Sequence, residues 1–98
     1  MRITGKQRRH LRAIAHSLKT VINLGKKGLS EEAKKEIKVQ LLEKELIKLK
    51  VLDTCPLSRK KCAEELSGED DIEVVQVIGK ILVLYSQNHE DPKIKFPI

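Results

Sequence analysis

The chain has 98 residues, 40% of them hydrophobic but only 2% aromatic, and a net charge of +6. This is enough for one domain with an aliphatic core. The scarcity of rings (Tyr85 and Phe96, no Trp) argues against a platform of aromatic side chains on which unpaired bases stack. Residues 1–30 carry Arg2, Lys6, Arg8, Arg9, Arg12, Lys19, Lys26 and Lys27 and no acid before Glu31, so the whole positive excess falls in the first third. Such asymmetry is the footprint of a polyanion partner. Two cysteines, Cys55 and Cys62, are too few for a disulfide framework. The start lacks an apolar leader, and no apolar run reaches the ~20 residues of a membrane span. The expectation is a soluble, cytoplasmic protein with no membrane partner.

A first helix is expected from Thr4 to Lys19, with Thr4 and Gln7 forming a capping box. At helical spacing Leu11, Ile14, Ala15 and Leu18 gather on one face, and Arg8, Arg9, Arg12, His16 and Lys19 on another. Val21 to Leu24 reads as a short buried strand, broken by Gly25-Lys26-Lys27-Gly28. Ser30 caps a second helix that runs to about Glu45, with Glu31 and Glu32 where the helix dipole favours acids. Its two apolar stripes, Ala33/Ile37/Leu41 and Val39/Leu42/Leu46, suggest packing on two sides. Leu46 to Leu52 alternates as a strand with one wet face, Lys48 and Lys50. After a turn at Pro56, Ser58 caps a third helix that buries Cys62 and Leu66 and stops at Gly68. Gly68 to Asp71 is an acidic loop. Ile72–Ile78 and Ile81–Tyr85 form a hairpin about Gly79-Lys80. In the tail, residues 88–98, Ile94, Phe96 and Ile98 alternate, as if part of it lay extended on the body.

The order helix, strand, helix, strand, helix, strand, strand implies an α/β fold with a four-stranded mixed sheet packed with helices. It reads as a single compact domain over residues 1–98: a basic helix and loop (1–30), a scaffold (31–87) and a tail (88–98).

The Gly25–Gly28 loop has the features of an anion site: glycines that permit positive φ and close approach, two lysines, and free amides at the start of the next helix. It also fits a plain strand-to-helix turn, and lacks the terminal Ser or Thr of a nucleotide-binding P-loop. The basic helix face reads either as solvated or as phosphate-binding. Against simple solvation, it carries no acids to pair with its cations. His16 falls within that face and is placed to donate to phosphate, whereas His10, at the edge of the apolar side, suits packing. The Cys55 and Cys62 spacing matches no common zinc pattern, and Cys62 suits a small buried apolar role. No arrangement of nucleophile and base supports catalysis. No cofactor, metal or small-molecule substrate is expected, and the chain is read as not an enzyme.

Several stretches in one order carry a resemblance: Gly5-Lys6-Gln7-Arg8-Arg9, Ala15-His16-x-Leu18-Lys19, Leu24-Gly25-Lys26-Lys27-Gly28-Leu29, Glu45-Leu46-Ile47-Lys48, Val74 to Lys80, Leu82-Val83-Leu84-Tyr85 and Pro92-Lys93-Ile94. Together they resemble the YhbY family, the stand-alone form of the CRM (chloroplast RNA splicing and ribosome maturation) domain, over nearly the whole chain. Thr20 and Ser86 depart from the family pattern. The resemblance implies a fold similar to the C-terminal domain of translation initiation factor three. It implies non-catalytic RNA binding, with ribosomal RNA or a large-subunit precursor particle as partner. The implied contacts are a GxxG loop (Gly25, Lys26, Lys27, Gly28) and the basic helix (Lys6, Arg8, Arg9, Arg12), beside His16 and Lys19 from the residue reading. The alternatives are a small basic chromatin protein of the Alba kind and a metal-dependent RNA-processing enzyme.

Overall fold

A computed structural model of the chain describes residues 3–69 and 71–96. Arg2, Asp70, Pro97 and Ile98 lie outside the described residues, so the expectations that touch them are not carried further. Each helix begins where a hydroxyl side chain offers the first free amides an acceptor. Helix α1 (Gly5–Ala15) opens on Thr4: its hydroxyl accepts from the Gln7 amide at 3.1 Å, and the Gln7 side chain accepts from the Thr4 amide at 2.9 Å. Helix α2 (Glu31–Lys44) opens on Ser30, which accepts from Ala33 N at 3.1 Å. Helix α3 (Arg59–Ser67) opens on Ser58, which accepts from Lys61 N at 3.1 Å.

Between and after the helices run β1 (Thr20–Leu24), β2 (Leu46–Val51), β3 (Glu73–Ile78) and β4 (Ile81–Tyr85). They form one sheet in the order β1-β2-β4-β3. β1 and β2 are parallel because α2 intervenes and carries the chain back. The β2–β4 and β4–β3 pairs are antiparallel. A bulge between Val74 and Gln76 lets β3 turn both Val75 and Gln76 to the α1 side.

The sheet is buried on both faces. Ile22, Leu24, Ile47, Leu49, Leu82 and Leu84 pack under α2 and α3 around Ile37, Leu41, Cys62 and Leu66. The alternate positions Leu46, Val83 and Tyr85, with Val75, pack under α1 around Leu11 and Ala15. The α1 side of β2 is therefore wet only at its end, where Lys50 is exposed, and not along its whole length as expected from its lysines. Leu46 is fully enclosed there, and Lys48 is half-buried with its ammonium donating to Leu18 O at 3.2 Å.

Two other expectations are corrected. Helix α1 stops at Ala15 rather than Lys19. The amides of Ser17 and Leu18 bond three residues back, to Ile14 O and Ala15 O, and this tightening ends the helix and turns the chain into β1. Lys19 thus leaves the helical face, while Leu18 still reaches the core. On α2 the stripe Ala33/Ile37/Leu41 packs inward, but Val39 and Leu42 are 50% and 65% exposed, so the helix packs on one side only.

The tail is fastened by a residue that stood only within a stretch of family resemblance, with no role expected of it. Glu45 is fully buried, at φ +64°, between α2 and β2. Its carboxylate accepts from the amides of Asn88 (2.6 Å), Lys93 and Ile94 (2.7 Å), and its carbonyl accepts from Ser86 N at 2.9 Å. Three amide donors satisfy a buried charge that is otherwise costly. Beyond this clasp Ile94 and Phe96 lie on the α1-side core, as the alternation suggested. The Phe96 ring meets Tyr85 edge-on at 5.8 Å and His10 at 5.7 Å. His10, whose Nε2 lies 3.1 Å from Lys95 O, is a packing residue as expected.

Candidate nucleic-acid interface

The Gly25–Gly28 loop leaves the sheet directly after Leu24. The Gly28 amide donates to Gly25 O at 2.9 Å, closing a tight turn with Lys26 and Lys27 exposed at its tip. Gly28 is required twice over. Its φ is +58°, and a β-carbon there would sit 3.2 Å from Pro56 Cγ. Gly25 has ordinary room, with Thr54 and Leu52 no nearer than 3.5 Å to such a carbon. The segment behind the loop is itself anchored, since Leu52 N donates to Leu24 O at 2.9 Å and Cys55 N to Leu52 O at 3.0 Å. The two lysines therefore stand on a buttressed turn.

The start of α2 contributes less than its amides suggested. Ser30 already occupies the Ala33 amide, and Glu31 and Glu32 stand in the same turn. The positive charge at this end is carried by the exposed Lys26 and Lys27.

Helix α1 divides its cations between two tasks. The Arg8 guanidinium donates to Val74 O at 2.9 Å and Val75 O at 2.8 Å, and pairs with Glu73 at 2.9 Å. These contacts fix the helix to β3, and Arg8 retains only 34% side-chain exposure. Arg9, Arg12 and His16, at helical spacings of three and four, share the solvent-facing side. Lys6 is exposed in the first turn, at the end of α1 away from the loop. Lys19 is exposed on the connector to β1.

Among the described residues, Arg9, Arg12, Lys19, Lys26 and Lys27 have no carboxylate partner. The ion pairs lie elsewhere, as in Lys38–Glu69, Lys61–Glu64 and Lys80–Asp53. Cations without counter-charges on their own chain favour a polyanion partner.

Two polar residues near the basic helix escaped sequence reasoning. Lys48 and Gln76 share a cleft with Arg12 and His16 on the α1 side of the sheet. The available signal was a glutamine in the middle of an otherwise apolar strand. Among the described residues no group of three or more His, Cys, Asp and Glu is placed to hold a metal ion. Cys62 is fully buried, and desolvation first, with Cys55 next to it, pushes its thiol up to about 12.

This is a small α/β domain that offers an acid-free cationic helix and a glycine-flanked turn on a rigid sheet. Residues 3–86 match the CRS1 / YhbY (CRM) domain, and the chain belongs to that family. It is 38% identical over 95 residues to the "Probable RNA-binding protein YqeI" of Bacillus subtilis, covering 97% of this chain and 99% of that one. It is 44% identical over 86 residues to a "Probable RNA-binding protein" of Methanocaldococcus jannaschii, covering 86% of this chain and 63% of that one. The solution structure of a hypothetical Staphylococcus aureus protein, described as a candidate RNA binder, superimposes with a TM-score of 0.77. It is 38% identical and is matched over 98% of this chain and 100% of its own.

Proposed function

We propose that the chain binds structured RNA without catalysis, and that its target is ribosomal RNA during assembly of the large ribosomal subunit. The observation that carries the reading is the set of unpaired cations, Arg9 and Arg12 on α1 and Lys26 and Lys27 on the turn, in a first third free of acids. The names of the relatives support RNA as the polyanion. Lysine and arginine on phosphates fix position and carry little sequence information, so the shape of the folded RNA supplies much of the selectivity.

The test is competition at fixed salt between large-subunit ribosomal RNA and duplex DNA of equal length, followed by a salt titration. RNA is expected to win. With about five phosphates neutralised, log K against log salt falls with a slope of roughly −3.5 to −4.5. A flat salt response, or preference for duplex DNA, refutes the reading. RNA cleavage that depends on the protein and stops on chelation would point instead to a metal-dependent enzyme.

A further inference from the structure

Between the C-terminal half of α1 and the sheet lies a cleft of about 400 Å³, lined by Arg12, His16, Lys48, Gln76, Ile78 and Val83 with two small alanines of α1. Its size falls in the range of small-ligand sites, roughly 300–1,000 Å³. No acid lines it. Its polar groups are of two kinds. Arg12 is an exposed cation, His16 is an exposed imidazole with a ring N–H to donate, and Lys48 spends one of its three donors on Leu18 O and keeps two. Gln76 is neutral, and its amide meets no partner among the described residues. The cleft also holds an apolar surface in Ile78, which is 55% exposed.

A phosphate alone would use the cations and at most the donor half of the amide, and would leave the isoleucine and the amide oxygen idle. An unpaired nucleotide uses all three: its phosphate faces the cations, its flat base covers Ile78, and its edge meets Gln76. Bases splayed out of a helix are read at their edges in this way. A side-chain amide, with donor and acceptor side by side, matches adenine N6 and N7 in particular.

The position suits a chain already held by the turn. Lys48 pairs with Thr20, and Val51 pairs with Leu24, the last residue before Gly25. At strand spacing the loop therefore begins about 10 Å beyond the cleft.

We infer that this cleft is a nucleotide subsite that takes one unpaired base of the bound RNA, with adenine preferred, through Gln76. The inference rests on the RNA-binding reading above and adds to it a place where base identity is sensed.

The test uses the purified full chain with three probes: oligoadenylate and oligouridylate of about twelve nucleotides, and an RNA duplex of similar length. The native protein is expected to bind oligoadenylate roughly tenfold more tightly than oligouridylate. Gln76→Leu should bring that ratio to within about twofold and leave duplex affinity unchanged. Lys26→Ala with Lys27→Ala should weaken all three probes and preserve the ratio. Failure of every probe to bind the native chain defeats the RNA reading and the subsite with it. Binding that depends on the loop lysines, with no adenine preference or with a preference that survives Gln76→Leu, overturns the subsite alone. A nitrogen-15 titration of the native protein with oligoadenylate gives an answer free of any folding defect. The Gln76 side-chain amide must shift; if only the Lys26 and Lys27 amides move, the inference fails.

Discussion

Replacing Glu45 by glutamine changes one atom of a buried side chain and reverses the polarity of one of its contacts. In the native chain one carboxylate oxygen accepts from Lys93 N and Ile94 N, and the other accepts from Asn88 N at 2.6 Å. A glutamine keeps one acceptor, which serves the pair at Lys93 and Ile94. Its amide nitrogen must then face the Asn88 N–H, donor against donor. A lost hydrogen bond to a charged group costs about 1.5–3 kcal/mol, and an unsatisfied buried amide about 1–3 kcal/mol. These overlap at Asn88, so a net loss of about 3 kcal/mol is expected for Glu45→Gln. For a domain of this size that lowers Tm by roughly 12–20 °C. Urea unfolding and thermal melts measure the loss, and hydrogen exchange of the Asn88, Lys93 and Ile94 amides locates it. Those three amides should lose protection first, because they border the tail. A Tm change under about 3 °C with all three amides still protected would show that Glu45 does not hold the tail.

Other perturbations separate binding from scaffold. Lys26→Ala with Lys27→Ala leaves Tm nearly unchanged, since both side chains are exposed, and reduces the steepness of the salt plot by roughly 1.4–1.8, the contribution of two phosphates. Gly28→Ala destabilises by about 1–2 kcal/mol in urea because its φ of +58° is costly for a residue with a β-carbon; a variant as stable as the native chain would refute the strained-turn argument. Arg8→Ala loses about 1–2 kcal/mol, discounted for its partial exposure, through its bonds to the Val74 and Val75 carbonyls rather than through its ion pair. Glu73→Gln should accordingly cost much less, and equal losses would reverse that assignment. The Cys62 thiol titrates at about 12 when folded and near 8.5–9 when unfolded. The unfolded chain therefore holds fewer protons above about pH 9, and stability present below that pH falls as pH rises toward 12. Cys62→Ala should flatten this decline between pH 8 and pH 10.5 in urea titrations, and an identical decline in both proteins would exclude the thiol as its source.

Much of the fold was legible because its signals are local. Thr4, Ser30 and Ser58 each precede a helix and each cap it, and the β3–β4 hairpin about Gly79 and Lys80 follows from alternation broken by a turn. The end of α1 was not legible. No glycine or proline interrupts residues 6–19, and Leu18 continues the apolar spacing, yet the chain must turn there to enter β1. Val39 and Leu42 misled for the opposite reason, since periodicity records apolar residues and not whether a neighbour exists to cover them. The candidate site divides in the same way. The glycine-flanked lysines are a contiguous motif. The fastening of Arg8 to β3, the clasp of Glu45 and the meeting of Arg12 with Gln76 join residues more than forty positions apart, and spacing along the chain carries no trace of them.

The pairing of α1 with β3, β4 and the segment at Ile94 and Phe96 also governs when this fold can close. Arg8 finds its partners 65 to 67 positions later in the chain, and the core beneath the helix needs Val83, Tyr85, Ile94 and Phe96. Contacts of such long range close late, because the intervening chain must first surrender its freedom. During synthesis both layers wait for β4, which supplies Leu82 and Leu84 to one and Val83 and Tyr85 to the other, and the cationic helix waits further for Ile94 and Phe96. A chain cut short before Tyr85 therefore lacks the floor on which α1 sits, so the cationic helix is seated only once β4 and the segment through Phe96 are in place.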